Sequence, residues 1–263
     1  MAGGTAHAPT AGDWLRETAR LAGRSQRLLV FPLALAILAY AVAVPAAVAA
    51  GADTSFSALA RYVVGLDGRL VDALDGTVEP STAEWALLGA AIVLESLAAA
   101  WLLGAFVRSV VEGRVVRFPG LATFVRLAVF YAAFSALFLP IAVLAGAGAG
   151  WEVLALLAYA VLSVAIVVAD LVIVIDDAPI RHGVVGSVRI VRTRPGLAVL
   201  AFVLAFTLGT LAVALFDDAI EDAEEVFPPF LVAAALAHGV VLYVVNCALI
   251  ALLLGVREHA AAD

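Results

Sequence analysis

The stretch from Leu28 to Ala52 decides the fold, and it reads LLVFPLALAILAYAVAVPAAVAAGA. It contains no charged residue over 25 positions. A helix of about 20 apolar residues is long enough to cross the hydrocarbon core of a bilayer. A run of this length is too long for the core of a soluble domain, so it predicts a transmembrane helix.

The composition of the whole chain agrees with this interpretation. Of the 263 residues, 65% are hydrophobic and 14% are charged, whereas a soluble domain is about half apolar and a quarter charged. All fifteen basic residues are arginine, and the net charge is −7. A lysine-free, acidic chain is typical of a halophilic archaeon or, alternatively, of a GC-rich bacterium. The acidic balance disfavours nucleic acid as a partner.

Five further apolar runs follow the first. We predict six transmembrane helices, at about 28–50, 83–106, 122–145, 151–175, 196–216 and 230–255. Each span is expected to be helical, because a lone strand leaves backbone groups without partners in lipid. The predicted fold class is therefore all-α integral membrane, with an amphipathic N-terminal segment at 1–27, one transmembrane domain at 28–256 and a tail at 257–263.

One alternative concerns the first span. Ala47-Val48-Ala49-Ala50 resembles the cleavage site of a signal peptide. The apolar region ahead of it exceeds 20 residues, which is longer than a signal peptide carries. We therefore keep six spans, and cleavage stays the alternative.

The arginines lie almost entirely on one side of the predicted membrane. Thirteen occur in the N-terminal segment, in the second and fourth loops with the adjoining start of span three, and in the tail, and only Arg61 and Arg69 lie on the other side. Arginine stays cytoplasmic, so we predict a multi-pass protein of the cell membrane with both termini inside (N-in, C-in). Apolar residues at helical spacing between Phe56 and Leu74 predict an amphipathic helix on the outer surface.

Amphipathic segments rich in arginine precede spans one, three and five. The segment ahead of span five places Ile180, Val184, Val188 and Val191 on an apolar stripe, with Asp177 as the predicted N-cap. Spans three and five are both entered through Pro-Gly-Leu-Ala, which indicates either three related hairpins or simply a favourable turn. The predicted cytoplasmic basic surface consists of Arg16, Arg20, Arg24, Arg27, Arg181, Arg189 and Arg192.

This basic surface predicts the partners. An arginine near a membrane is attracted to anionic headgroups by about 1 kcal/mol. We therefore expect membrane lipids as partners, with a protein partner or a second copy of the chain as alternatives.

Polar residues inside a span are costly, by about 2.5–3.5 kcal/mol for a charge at its centre. The candidates are Glu95, Asp170, His238 and Asn246. Glu95 is either a proton or cation site on a transport path or a hydrogen-bonded contact between helices. His238 and Asn246 lie on one side of their helix and are candidates to meet Glu95. Asp170 is expected to pair with Arg181 or Arg189.

The predicted outer loop after span five is acidic. Several of its carboxylates would share a helical face, as in the magnesium-binding motifs of membrane prenyltransferases, but no second motif accompanies them. A solvated acidic loop is the simpler interpretation, and we predict no metal and no cofactor. The carboxylates that would bind a cation are Asp217, Asp218, Glu221, Asp222 and Glu225.

The segment Ala169–Ala178, followed by 186–192 and by Arg194-Pro195, carries a resemblance. It is similar to the multi-pass membrane domain ahead of some glycerophosphodiester phosphodiesterases, and to haloarchaeal six-span proteins of unassigned function. The catalytic domain of those enzymes has no counterpart in these residues. The resemblance therefore implies a membrane module without hydrolytic activity.

The leading hypothesis is a non-enzymatic membrane module that organises lipids or partner proteins. The chain has no Gly-x-Ser-x-Gly, no His-Glu-x-x-His and no phosphate-binding glycine loop with lysine. The alternative is a small-solute or ion transporter or channel that uses Glu95 and His238, and a second alternative is an intramembrane lipid enzyme with metal at the acidic loop. Deep polar residues that converge on a cavity would favour transport.

Overall fold

The computed structural model describes residues 10–49, 82–113, 116–146, 149–217 and 228–262. These residues are almost entirely helical and contain no strand, which confirms the all-α class for the described part. The predicted outer surface helix between Phe56 and Leu74 lies outside it. In chain order the helices are α1 (Ala11–Arg24), a 3₁₀ helix (Gln26–Leu29), α2 (Val30–Ala49), α3 (Thr82–Glu112), α4 (Leu121–Gly146), α5 (Ala149–Ala165), α6 (Ala169–Ile175), α7 (Ile180–Thr193), α8 (Pro195–Asp217) and α9 (Pro228–Ala262).

Helices cover all six segments that were predicted to cross a membrane, but fewer than six of these helices are long and apolar enough to do so. Among the residues whose side chains are described, Ile92–Glu112 and Val232–His259 are long and apolar enough. The number rises to three if the bent pair Ala11–Arg24 and Gln26–Val42 is one span. The described residues therefore support two to three crossings and not six. Shorter apolar helices occur at Leu121–Leu137, Ala160–Ile175 and Pro195–Ala205.

Six helices form a closed ring. In the order α2, α3, α4, α5, α8, α9, each helix packs against the next, and α9 packs back against α2. The short helix α6 contacts α3, α4 and α9, so it lies inside the ring. The side chains of Ala169, Leu171 and Ile173 are fully buried. Helix α6 therefore fills the interior of the ring at one end, which we call the arginine-rich end because α1 and α7 also lie there.

The chain breaks between α5 and α6, where one continuous span over 151–175 was predicted. Val168 leaves helical geometry, with φ −125° and ψ 15°. Its N–H donates to Ser187 Oγ of α7 at 3.3 Å. The Ser187 side chain thus provides an acceptor for the backbone N–H that the break leaves without a helical partner. A buried backbone donor needs such a partner.

Helix α7 packs against α6 through small residues. A Cβ added at Gly183 would lie 2.5 Å from Ile173 Cγ1 and 2.8 Å from the Ala169 carbonyl oxygen. The buried residues of α7 are Gly183, Ser187 and Ile190. They lie one position before the predicted apolar stripe of Ile180, Val184, Val188 and Val191, which is only half-buried. The periodicity of apolar residues therefore predicted the position of α7, but its close contact with α6 buries the neighbouring face, which carries the small residues.

Helix α1 lies across the same end and is bent by 80° from the helix that follows. Its start is a capping box, in which Thr10 and Asp13 bond to each other's backbone N–H. These hydrogen bonds from Thr10, with that from Arg16, lower the pKa of Asp13 to about 2. Trp14 anchors the helix, because its Nε1 donates to the Ala248 carbonyl of α9 at 2.8 Å.

We expect Gly183→Ala to destabilise the fold, although alanine favours helices. The added methyl group meets backbone at 2.8 Å, and overpacking of this kind costs about 1–3 kcal/mol. Gly255→Ala is the matched control, because it lies in α9 with nothing within 4 Å of the added Cβ. Thermal unfolding in detergent should show a lower midpoint for Gly183→Ala and an equal or higher one for Gly255→Ala. Equal midpoints for the two variants would contradict the close contact between α6 and α7.

Candidate functional site

The turn Asp176-Asp177 joins α6 to α7 and gathers side chains from other helices. Asp177 has a left-handed backbone, with φ 51°, a conformation that aspartate adopts more readily than most residues. Its carboxylate accepts hydrogen bonds from Arg108 Nη2 of α3 at 2.5 Å and from Thr123 Oγ1 of α4. Its carbonyl oxygen accepts from Arg126 Nη1, also of α4, at 2.6 Å.

The neighbouring carboxylate binds the last helix. Arg257 of α9 donates from both Nη atoms to the two carboxylate oxygens of Asp176, at 2.9 and 2.6 Å. This bidentate geometry is specific to arginine. The turn therefore connects α3, α4 and α9 to α6, and we call these contacts the aspartate clamp.

A second set of contacts extends the clamp to the loop between α3 and α4. Glu112 lies 3.8 Å from Arg108 Nε and 3.2 Å from Arg117 Nε. The buried Ser109 Oγ accepts from the Arg117 backbone N–H at 2.9 Å and donates to the Ala105 carbonyl at 2.7 Å. Arg108 thus lies between two carboxylates, and its side chain is only 19% exposed.

The electrostatics of the clamp favour an ionised Asp177. The hydrogen bond from Thr123 is the largest cause, and the hydrogen bond and charge of Arg108 act in the same direction. Together with the charge of Arg126, they hold the pKa of Asp177 below its usual range. Asp177 therefore stabilises the fold above the ordinary aspartate pKa, and this contribution is lost as the pH falls through the lowered value.

Two predictions about these acidic residues were wrong. The N-cap of α7 is Pro179, without a side-chain cap, because Asp177 is engaged by Arg108 and Thr123. Asp170 pairs with neither Arg181 nor Arg189. It accepts a hydrogen bond from Tyr131 of α4 at 3.0 Å, since the buried helix α6 faces the ring rather than α7's basic surface.

All seven arginines of the predicted basic surface are exposed. On α1, Arg16 pairs with Asp13 at 2.5 Å and Arg20 with Glu17 at 3.3 Å. On the opposite face of α1, Trp14, Thr18 and Leu21 are buried against the bundle. The two amphipathic helices therefore bury one face and display arginine at the same end of the ring.

No hydrogen bond among the described residues joins the deep polar candidates to one another. Asn246 is buried and donates to the Leu242 carbonyl of its own helix at 2.8 Å. Glu95 is half-buried, and the buried Ser96 follows it. The ring of His238 lies 6.3 Å from that of Tyr40 of α2. The expected meeting of Glu95, His238 and Asn246 thus stays a prediction.

The acidic loop falls mostly outside the described residues. Asp217 ends α8, while Asp218, Glu221, Asp222 and Glu225 are not described. Within the described part, no three His, Cys, Asp or Glu side chains form a group that could hold a metal ion.

Sequence reasoning missed an aromatic cluster and the partners of the clamp. Trp101 stacks on Phe118 of the loop at 4.6 Å, and Phe118 meets Phe31 of α2 edge-on at 6.3 Å. The signal available was the adjoining basic and aromatic pair Arg117-Phe118. Nothing local in the sequence indicates that Thr123 and Arg108 bind a carboxylate more than 50 residues away.

We expect Asp177→Asn to lower the free energy of unfolding at pH 7 by about 1–2 kcal/mol. This is less than a charged hydrogen bond usually contributes, because the side chain of Asp177 is half exposed. Asparagine tolerates the left-handed backbone, so the variant removes the charge alone. Chemical denaturation from pH 7 down to pH 3 should also show a smaller loss of stability for the variant. Glu258→Gln, an exposed residue outside the clamp, serves as the control. An unchanged acid dependence in Asp177→Asn would refute the role of this carboxylate.

Compared with known proteins, the chain matches no family model, no curated protein and no solved structure.

Proposed function

We propose that the chain is a non-enzymatic membrane module that organises anionic lipids at its arginine-rich end. The observation that carries this proposal is the placement of α1 and α7. Each buries its small or apolar face against the ring and leaves arginines exposed at the same end. Anionic headgroups attract such arginines by about 1 kcal/mol each at low salt.

The proposal includes six membrane crossings, with both termini on the arginine-rich side. Helix α2 holds 20 residues without a charge, and α8 has none before Asp217 at its end. Helix α4 carries a single charge, Arg126, near its start. The bent pair at Ser25 is better read as a surface helix followed by a span, because Arg16 and Arg20 are exposed on α1.

The outer surface of the ring supports a lipid environment. Large apolar side chains are more than 40% exposed on all six ring helices, and a soluble monomer rarely shows so extensive a patch. Representative residues are Ile37, Leu94, Val129, Leu157, Val203 and Val240. The half-exposed Trp101 and Phe118 fit the aromatic belt at a membrane interface.

The division of the arginines between two tasks supports lipid binding further. Arg108, Arg126 and Arg257 are held by the turn Asp176-Asp177. The exposed arginines of α1 and α7 are not needed for that clamp. Arg16 and Arg20 form ion pairs within α1, but exposed pairs of this kind are weak, so these guanidinium groups can exchange to headgroups.

Transport remains the second candidate, and His238 is the observation that favours it. Its Nδ1 is buried without a hydrogen-bond partner in the described part. The lipid-enzyme alternative depends on the acidic loop after α8, and it stays a prediction.

Cysteine labelling tests the six-span topology. In a Cys247→Ala background, we expect Trp151→Cys at the start of α5 to react with a membrane-impermeant maleimide in intact cells. Thr193→Cys, at the end of α7, should react only after permeabilisation. Both side chains are exposed, so accessibility depends on the side of the membrane. Labelling of both sites, or of Thr193→Cys alone, in intact cells would rule out the proposed orientation.

Replacing Arg16, Arg20, Arg24 and Arg27 with glutamine should reduce the retention of anionic lipids. At about 1 kcal/mol per arginine, the four substitutions together weaken binding by more than a hundredfold at low salt. Native mass spectrometry, with anionic and zwitterionic lipids supplied in competition, counts the lipids retained. The matched control is the fourfold lysine variant, which keeps the charge and should retain them. Equal retention of anionic lipid by the glutamine variant and the unaltered protein would disprove lipid binding at α1 without affecting the topology.

A further inference from the structure

The surroundings of His238 leave a polar atom unexplained. The imidazole lies between α2 and α9, with its ring nearly perpendicular to that of Tyr40, at 75° and 6.3 Å. Its Nδ1 is buried and has no hydrogen-bond partner among the described residues. An unsatisfied buried group costs about 1–3 kcal/mol, so an apolar residue would suit a purely structural contact better.

The seam between α2 and α9 is closed beside this residue. A Cβ added at Gly239 would lie 2.8 Å from Leu33 Cα and 2.7 Å from Leu33 Cδ2. The two backbones are thus in direct contact one residue away from His238. Because Nδ1 is itself buried from solvent, water can reach it only if the two helices move apart.

Few other ionisable groups face this seam. On α2 the one such residue is Tyr40, and α8, which also packs on α9, has none from Leu197 to Phe216. Glu95 of α3 forms no hydrogen bond or ion pair with His238. On α6, which also contacts α9, Asp170 is engaged by Tyr131.

The remaining groups of α9 itself are also engaged or remote. Tyr243 donates to the Ala22 carbonyl of α1 at 2.5 Å, and Cys247 is buried a turn further on. Arg257 at the end of α9 belongs to the aspartate clamp. On α1, which also packs on α9, Asp13 pairs with Arg16 and Glu17 with Arg20. No hydrogen bond or ion pair among the described residues therefore joins a carboxylate to His238.

We propose that His238 is a proton-binding site and that its protonation opens the seam between α2 and α9. An imidazolium has two N–H donors, and the closed seam offers Nδ1 no acceptor. The Tyr40 ring, 6.3 Å away, can stabilise the cation partly, but Nδ1–H must still bond to water. Water enters only if α2 separates from α9, so proton binding and opening are coupled. This property goes beyond lipid binding and does not depend on it.

Distance measurement between spin labels tests the proposal on the full chain in nanodiscs. Labels at Ile37→Cys of α2 and Val240→Cys of α9, both exposed, in a Cys247→Ala background report the width of the seam. On acidification from pH 8 to pH 5, we expect a second population whose distance is longer by more than about 2 Å. His238→Leu should remain closed at both pH values, and Asn246→Leu should open like the parent protein.

An unchanged distance distribution in the parent protein at pH 5, or opening of His238→Leu, would overturn the proposal. A second measurement covers the case in which His238→Leu does not fold. Imidazole NMR of labelled histidine, with His7, His182 and His259 replaced by glutamine, reports the protonation of His238 directly. A ring that stays neutral down to pH 5 would overturn the proposal as well.

Discussion

The architecture of the arginine-rich end depends on one interaction, the binding of arginines from two helices by two adjacent carboxylates. Asp176 and Asp177 are consecutive, so their partners Arg257 of α9 and Arg108 of α3 are brought to one point. Thr123 adds α4 to the same point. Helix α6 precedes this turn and is buried on nearly all sides, so the burial of one apolar face cannot fix its orientation. The ion pairs of the clamp fix that orientation instead, and Gly183 allows α7 to pack closely against α6.

The absence of lysine fits this arrangement physically. A guanidinium group binds a carboxylate through two parallel hydrogen bonds, as Arg257 does to Asp176, whereas an ammonium group cannot. The distance over which exposed charges interact is about 10 Å at 0.1 M salt and becomes shorter as the salt concentration rises. Partly buried pairs are screened far less. At high salt concentration the clamp therefore persists, while the proposed attraction of α1 and α7 for headgroups weakens. Under the proposed function, the same residue type serves two tasks that differ in their sensitivity to salt.

Features that depend on neighbouring residues in the sequence could be predicted, and features that depend on contacts between distant residues could not. Apolar runs predicted a helix at each of the six segments, and arginine periodicity predicted α1 and α7, because both signals are local. The break at Val168 was missed, since it is stabilised by Ser187 from a later helix. The partner of Asp170 was predicted wrongly for a related reason. Its place near the predicted cytoplasmic end of a span favoured Arg181 or Arg189, whereas the fold places Tyr131 beside it. The number of crossings was also predicted higher than the described residues support, because their length and hydropathy suffice for two to three.

The ring and its filled end bear on the choice between a lipid module and a transporter. A path through the ring would have to pass α6, whose apolar side chains from Leu171 to Val174 are buried at the arginine-rich end. Opening that end would require the Asp176–Arg257 and Asp177–Arg108 contacts to separate together, because α6 is tied to both. The seam at His238 lies well along α9 from Arg257, roughly 28 Å at 1.5 Å per residue. The proposed opening of that seam therefore does not require the clamp to separate, and it is compatible with the proposed lipid binding by α1.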